Sequence, residues 1–196
     1  ITAIRHLMLA MGDISTNEAR RRIDAGYTAN NPDALAEEIR RKAISVLPSA
    51  FRSDRPGDPQ QYEIARLLAM LGADTQEAME IVAAAIATTS HPTHDAHYLF
   101  CLAQMPGPRE ALRADLAAAF LGIDRKLRKA RLLTDRNWSV NLRDALQAQL
   151  NFDPATASSM AQSGDRPPAS AHLLSLLAKD QQSSAAATMS RAETGW

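Results

Sequence analysis

Apolar residues recur at three- and four-residue spacing along most of the chain. Proline, glycine and Asx positions cut that pattern into helix-length pieces. Ile1 to Met11 reads as one helix. Asn31-Pro32 offers an N-cap and a proline at the first helical position, after which Leu35, Ile39, Ala43 and Val46 repeat at helical spacing until Pro48. Asp58-Pro59 repeats that start signal ahead of Ile64, Leu67, Leu68 and Leu71, with Gly72 as the expected positive-φ terminator. Asp74 and Glu77 are placed as a capping box before Met79, Ile81, Val82 and Ile86.

Pro92 opens a helix to about Gln104, which Pro106-Gly107-Pro108 ends. Leu112, Leu116, Ala119, Phe120, Ile123 and Leu127 predict a long helix from near Pro108 to about Leu133, with Gly122 marking a bend or close packing. Asp135-Arg136-Asn137-Trp138 is a connector, and Ser139 is a cap for a helix to Leu150. Asp153-Pro154 starts a shorter helix, Arg166-Pro167-Pro168 breaks it, and Ser170 to about Lys179 forms the last one. Between the first two elements, Asn17 to Asp24 fits one short helix, and Phe51 to Pro59 reads as loop.

Short links set consecutive helices into antiparallel hairpins. The expected pairs are 32–47 with 59–71, 75–89 with 92–105, 108–133 with 139–150, and 154–162 with 170–179. The fold expected is therefore all-α, a short HEAT-like α-solenoid of stacked hairpins, with a closed helical bundle as the alternative. Residues 1–182 are expected to form a single helical domain with a weak break near 48–58. Residues 183–196 are expected to be a poorly ordered tail or the cut end of a larger chain.

Composition narrows the function classes. The 22 basic side chains balance 22 acidic ones, which argues against bulk electrostatic affinity for nucleic acid or anionic lipid. The single Cys101 excludes an internal disulfide framework. No apolar run has the length of a membrane span. Neither a Gly-x-Ser-x-Gly elbow nor a phosphate-cradling glycine loop occurs. The compartment stays open on these grounds, and no cofactor is implied.

The densest chemistry lies in His91-Pro92-Thr93-His94-Asp95-Ala96-His97-Tyr98-Leu99-Phe100-Cys101. His94, His97 and Cys101 stand at i, i+3 and i+7, one face of a helix. With His91 they form a candidate metal set, and Asp95 is placed to orient an imidazole. The competing reading is structural, with Cys101 a buried apolar residue and Asp95 favouring the helix N-terminus. His94-Asp95 also matches part of the metal phosphohydrolase pattern, but the upstream histidine that pattern needs is missing. Arg125, Lys126, Arg128, Lys129 and Arg131 form a basic stripe that is either a solvated face or a phosphate-contacting one. Trp138 is either packed against a neighbouring hairpin or an anchor for a partner.

The hairpin pattern resembles HEAT-like α-solenoid proteins. Leu9 to Ile14, Ala25 to Thr28, Ala65 to Leu71, Ser90 to Leu99 and Asp135 to Trp138 also resemble a helical segment of large multidomain planctomycete-type proteins, some of which carry c-type haem domains. The resemblance implies a structural role and brings no catalytic residue. Without Cys-x-x-Cys-His it implies no haem in this chain. The expectation is a non-catalytic scaffold or protein-interaction segment of a larger protein. Tyr98, Trp138, Arg125, Arg128 and Lys129 are its candidate contacts, with a protein partner or neighbouring domains of the parent chain. The alternatives are a metal module on His91–Cys101 and nucleic-acid binding through residues 125–131.

Overall fold

The computed structural model describes residues 1–12, 26–51, 57–134 and 136–162. Among them the fold is all-α, with eight α-helices and no β-strand. The helices are α1 (Thr2–Ala10), α2 (Glu37–Ala50), α3 (Pro59–Met70), α4 (Gln76–Ala84), α5 (Pro92–Gln104), α6 (Arg113–Lys129), α7 (Trp138–Phe152) and α8 (Thr156–Gln162). None of the described helices is long and apolar enough to cross a membrane. The helices expected over 17–24 and 170–179, and the tail 183–196, lie outside the described residues.

The chain divides into two compact units: Ile1–Ser90 with Phe100–Pro108, and His91–Leu99 with Arg109–Trp196. In that unit α1 packs on α3, and α2 packs on both α3 and α4. Met8, Ile44, Ile64, Leu67, Leu68, Met79 and Val82 form its interior, each at most 4% exposed. In the second unit α8 packs on α6 and on α7. Leu116, Phe120, Ile123, Leu142, Leu146 and Met160 are buried there.

Local chemistry explains where the helices start. Asp58 accepts a hydrogen bond from the Gln60 N–H at 2.8 Å, and Pro59 follows at the first helical position. Asn31-Pro32 behaves differently. It starts only a 3-10 turn over Pro32–Ala34, Leu35 is extended, and α2 begins at Glu37 without a side-chain cap. At α4 the cap is Thr75, whose hydroxyl accepts from the Ala78 N–H at 3.3 Å, in place of the Asp74–Glu77 box. α7 begins at Trp138, one residue before the expected Ser139 cap.

The ends differ as well. Pro48 lies inside α2, which runs on to Ala50. A proline in the last turn forfeits one backbone bond and little more. α4 stops at Ala84 and not near residue 89. There the Ser90 hydroxyl accepts from the Ala87 N–H and donates to the Ala87 carbonyl, giving that backbone an alternative to the helix. α6 is shorter than expected at both ends, with a 3-10 turn at Glu110–Leu112 ahead of it. Gly72 has φ 61° and closes α3 as expected. A Cβ on Gly122 would meet only Arg125 Nη2, at 3.5 Å, so no close approach explains that glycine.

Candidate functional site

The histidine segment opens α5. The exposed His91 accepts a hydrogen bond from the Thr93 N–H through Nδ1 at 3.3 Å, and its ring lies 5.2 Å from that of His94. Burial lowers the His94 pKa and the neighbouring His91 adds to this, against the pull of Asp95. His97 turns its ring edge-on to Tyr98, 5.4 Å away. Cys101 is fully buried, and burial pushes its thiol well above the usual range, with Arg66 opposing.

These positions bear on the expected metal set. Among the described residues no three His, Cys, Asp or Glu side chains converge on a common point. The helix itself supplies the reason. Seven residues of rise put Cys101 about 10 Å along the axis from His94, whereas zinc ligands sit about 2 Å from the ion. His91 and His94 are neighbours, while His97 packs edge-on to Tyr98 and Cys101 is buried. Asp95 is 1% exposed, and its Oδ2 accepts from Lys126 Nζ.

Tyr98, one of the expected contacts, is buried. At 1% exposure its ring belongs to the interior and offers no surface to a partner. Trp138 is half-buried, and its indole N–H donates to Asp124 Oδ1 at 2.7 Å, so its polar edge is already used. Arg125, Arg128 and Lys129 stand exposed at i, i+3 and i+4 on the outer face of α6. Lys126 turns inward to Asp95, which takes it out of the expected basic stripe.

Sequence reading missed a buried polar network in the second unit. Arg109, 3% exposed, donates through Nε to Gln149 Oε1 at 2.7 Å, and its guanidinium lies 4.5 Å over the Phe152 ring. Gln149 donates to the Thr156 hydroxyl, which donates to Asp153 Oδ2. Arg113 grips both Asp153 oxygens, at 2.8 and 3.2 Å. Burial lowers the Arg109 pKa to about 10, leaving it charged at neutral pH. Burial alone would raise the Asp153 carboxyl, but the Arg113 bonds outweigh it and hold the group below its ordinary value. These bonds tie Arg109 and Arg113, before and at the start of α6, to Gln149 and Asp153 at the end of α7 and to Thr156 of α8.

Two open clefts of about 320 and 420 Å³ flank Arg40 in the first unit. Glu37, Ile44 and Asp74 line one, and Met11, Leu35 and Met70 the other. The guanidinium between them is committed to structure. Nε and Nη2 donate to Glu37, and Nη1 donates to the Leu71 carbonyl at 2.7 Å, which closes the C-terminus of α3. Hydrogen bonds from Arg40 and then Arg41 lower the Glu37 carboxyl to about 2.

The outer face of α2 is the other unabsorbed feature. Ile44 and Pro48 are its buried positions. The predicted apolar repeat falls largely outside: Ile39 is 55% and Val46 51% exposed, with Ala43 half-buried between them. Compared with protein-family models, curated proteins and solved structures, the chain matches none.

Proposed function

We propose that the chain is a non-catalytic protein-interaction segment, and that the outer stripe of α2 is the surface on which another protein docks. One observation carries this reading: Ile39, Ala43 and Val46 form an i, i+4, i+7 apolar stripe whose two large side chains remain about half exposed. Glu38, Lys42 and Ser45 stand exposed around it, the polar rim that a protein contact usually has. Covering the two large side chains recovers about 1 kcal/mol each, enough to bias docking without making the free chain insoluble. The stacking of α1 on α3 and of α2 on α3 and α4 supports a HEAT-like arrangement, in which outer helix faces serve as contact surfaces.

Photo-crosslinking tests this. A photoreactive residue at Ile39 gives discrete adducts in cells, and adding Val46→Glu removes them. The same residue at the exposed Gln147 of α7 is the control. Equal adduct yields at 39 and 147 contradict the proposal.

A further inference from the structure

The turn that joins α6 to α7 has a composition unlike the rest of this electrically neutral chain. Residues 124–138 hold six basic and two acidic side chains, and one of those acids, Asp124, is engaged by the Trp138 indole. Lys126 is likewise engaged, by Asp95, and of the other five Arg125 lies on α6 while Arg128, Lys129, Arg131 and Arg136 stand exposed nearer the turn. Among them stand Leu133, 98% exposed, and Leu132, 38% exposed, with Val140 of α7 at 42%.

The backbone holds this turn in an uncommon way. Leu132 N–H reaches back to the Leu127 carbonyl at 3.0 Å, and the residue between the helix and that bond, Arg131, has φ 54°. That is the position where glycine is the default, and glycine does stand there after α1 and α3, at Gly12 and Gly72. A cation therefore occupies a site where the backbone alone favours glycine.

Shape decides what fits. A leucine that is 98% exposed is a knob, so a rigid partner would need a matching socket, whereas the boundary between headgroups and acyl chains deforms around it. The surrounding cations then meet lipid phosphates, an attraction that reaches about a Debye length and does not require a charged chain overall. The geometry points to a peripheral docking site for anionic lipid membranes, with Leu133 and Leu132 inserted below the headgroups and Arg128, Lys129, Arg131 and Arg136 on the phosphates. This goes beyond the α2 surface and does not depend on it.

Vesicle cosedimentation of the full chain tests the proposal. Vesicles of phosphatidylcholine mixed with phosphatidylserine are compared with vesicles of phosphatidylcholine alone. The chain binds the mixed vesicles at least about tenfold better, and added salt weakens binding. Leu133→Ser weakens it about tenfold, and Arg128→Ala and Lys129→Ala about fivefold each. All three side chains are exposed, and an unchanged thermal midpoint confirms that each variant is folded. Ile39→Glu leaves vesicle binding unchanged, which separates this site from the α2 surface. Equal binding to both vesicles, no binding, or indifference to Leu133→Ser overturns it. So does tighter binding to duplex DNA or polyglutamate than to vesicles, which would assign the cations to a different polyanion.

Discussion

The Leu132 N–H donates to the carbonyl of Leu127 at 3.0 Å, closing the end of α6 over Arg131 at φ 54°. The same closure ends α3, where Ala73 N–H reaches the Leu68 carbonyl at 2.9 Å over Gly72 at φ 61°. A Cβ in this conformation costs about 1 kcal/mol, part of which glycine loses again through its greater freedom when unfolded. Arg131→Gly is therefore expected to stabilise the chain by roughly 0.5 kcal/mol, read from denaturant unfolding, while weakening vesicle binding. Opposite signs in the two measurements mark a residue kept for its charge. A variant that loses stability contradicts the steric account.

Gly107 lies where a side chain has no room. A Cβ there would sit 2.6 Å from Met79 Cγ and 3.2 Å from the Asp74 backbone. Gly107→Ala should cost about 2 kcal/mol in urea unfolding, since neither the Asp74 backbone nor Cγ of the buried Met79, near the root of its side chain, can give way easily. A change below about 0.5 kcal/mol would show that the approach is looser than described.

Asp95 and Lys126 are coupled. Lys126→Ala leaves a carboxylate that is 1% exposed without its cation, a loss of about 3 kcal/mol. The double variant Asp95→Leu with Lys126→Leu removes both charges and is expected to cost less than the single change. Additive losses would mean the two side chains do not hold each other.

How much of this was legible in the sequence depended on range. Asp58-Pro59 signals α3 because a side-chain cap and a proline act within two residues, and the structure shows that bond. Asn31-Pro32 carries the same letters, but Leu35 turns extended and the signal spends itself on a 3-10 turn. The apolar repeat on α2 was visible, yet periodicity cannot say which side a neighbour covers. Ile44 and Pro48 took the covered side, and Ile39 and Val46 were left out. Arg109 with Gln149 and Arg113 with Asp153 are each separated by 40 positions, and Lys126 with Asp95 by 31. No local spacing announces such pairs, so the histidine cluster drew attention that belonged to the aspartate between its members.

Asp153 gives the chain a definite acid response. Its folded pKa lies below the ordinary 3.8 despite burial, because Arg113 holds the ionised form. Stability from this group is thus fully present above that value and is lost as pH falls through the lower, folded pKa. Asp153→Asn should lower the thermal midpoint at neutral pH and narrow its gap to the parent chain in acid. A gap that stays constant with pH would rule out the carboxylate as its source.

Thiol labelling at α2 measures whether the outer stripe is open in the free chain and covered in use. Cys101 is buried, with its thiol pKa raised, and so contributes little background while the chain stays folded. An Ile39→Cys variant should react with a maleimide almost as fast as a free thiol when purified, and several-fold more slowly inside cells. Slow labelling of the purified chain, or equal rates in both settings, would contradict the account.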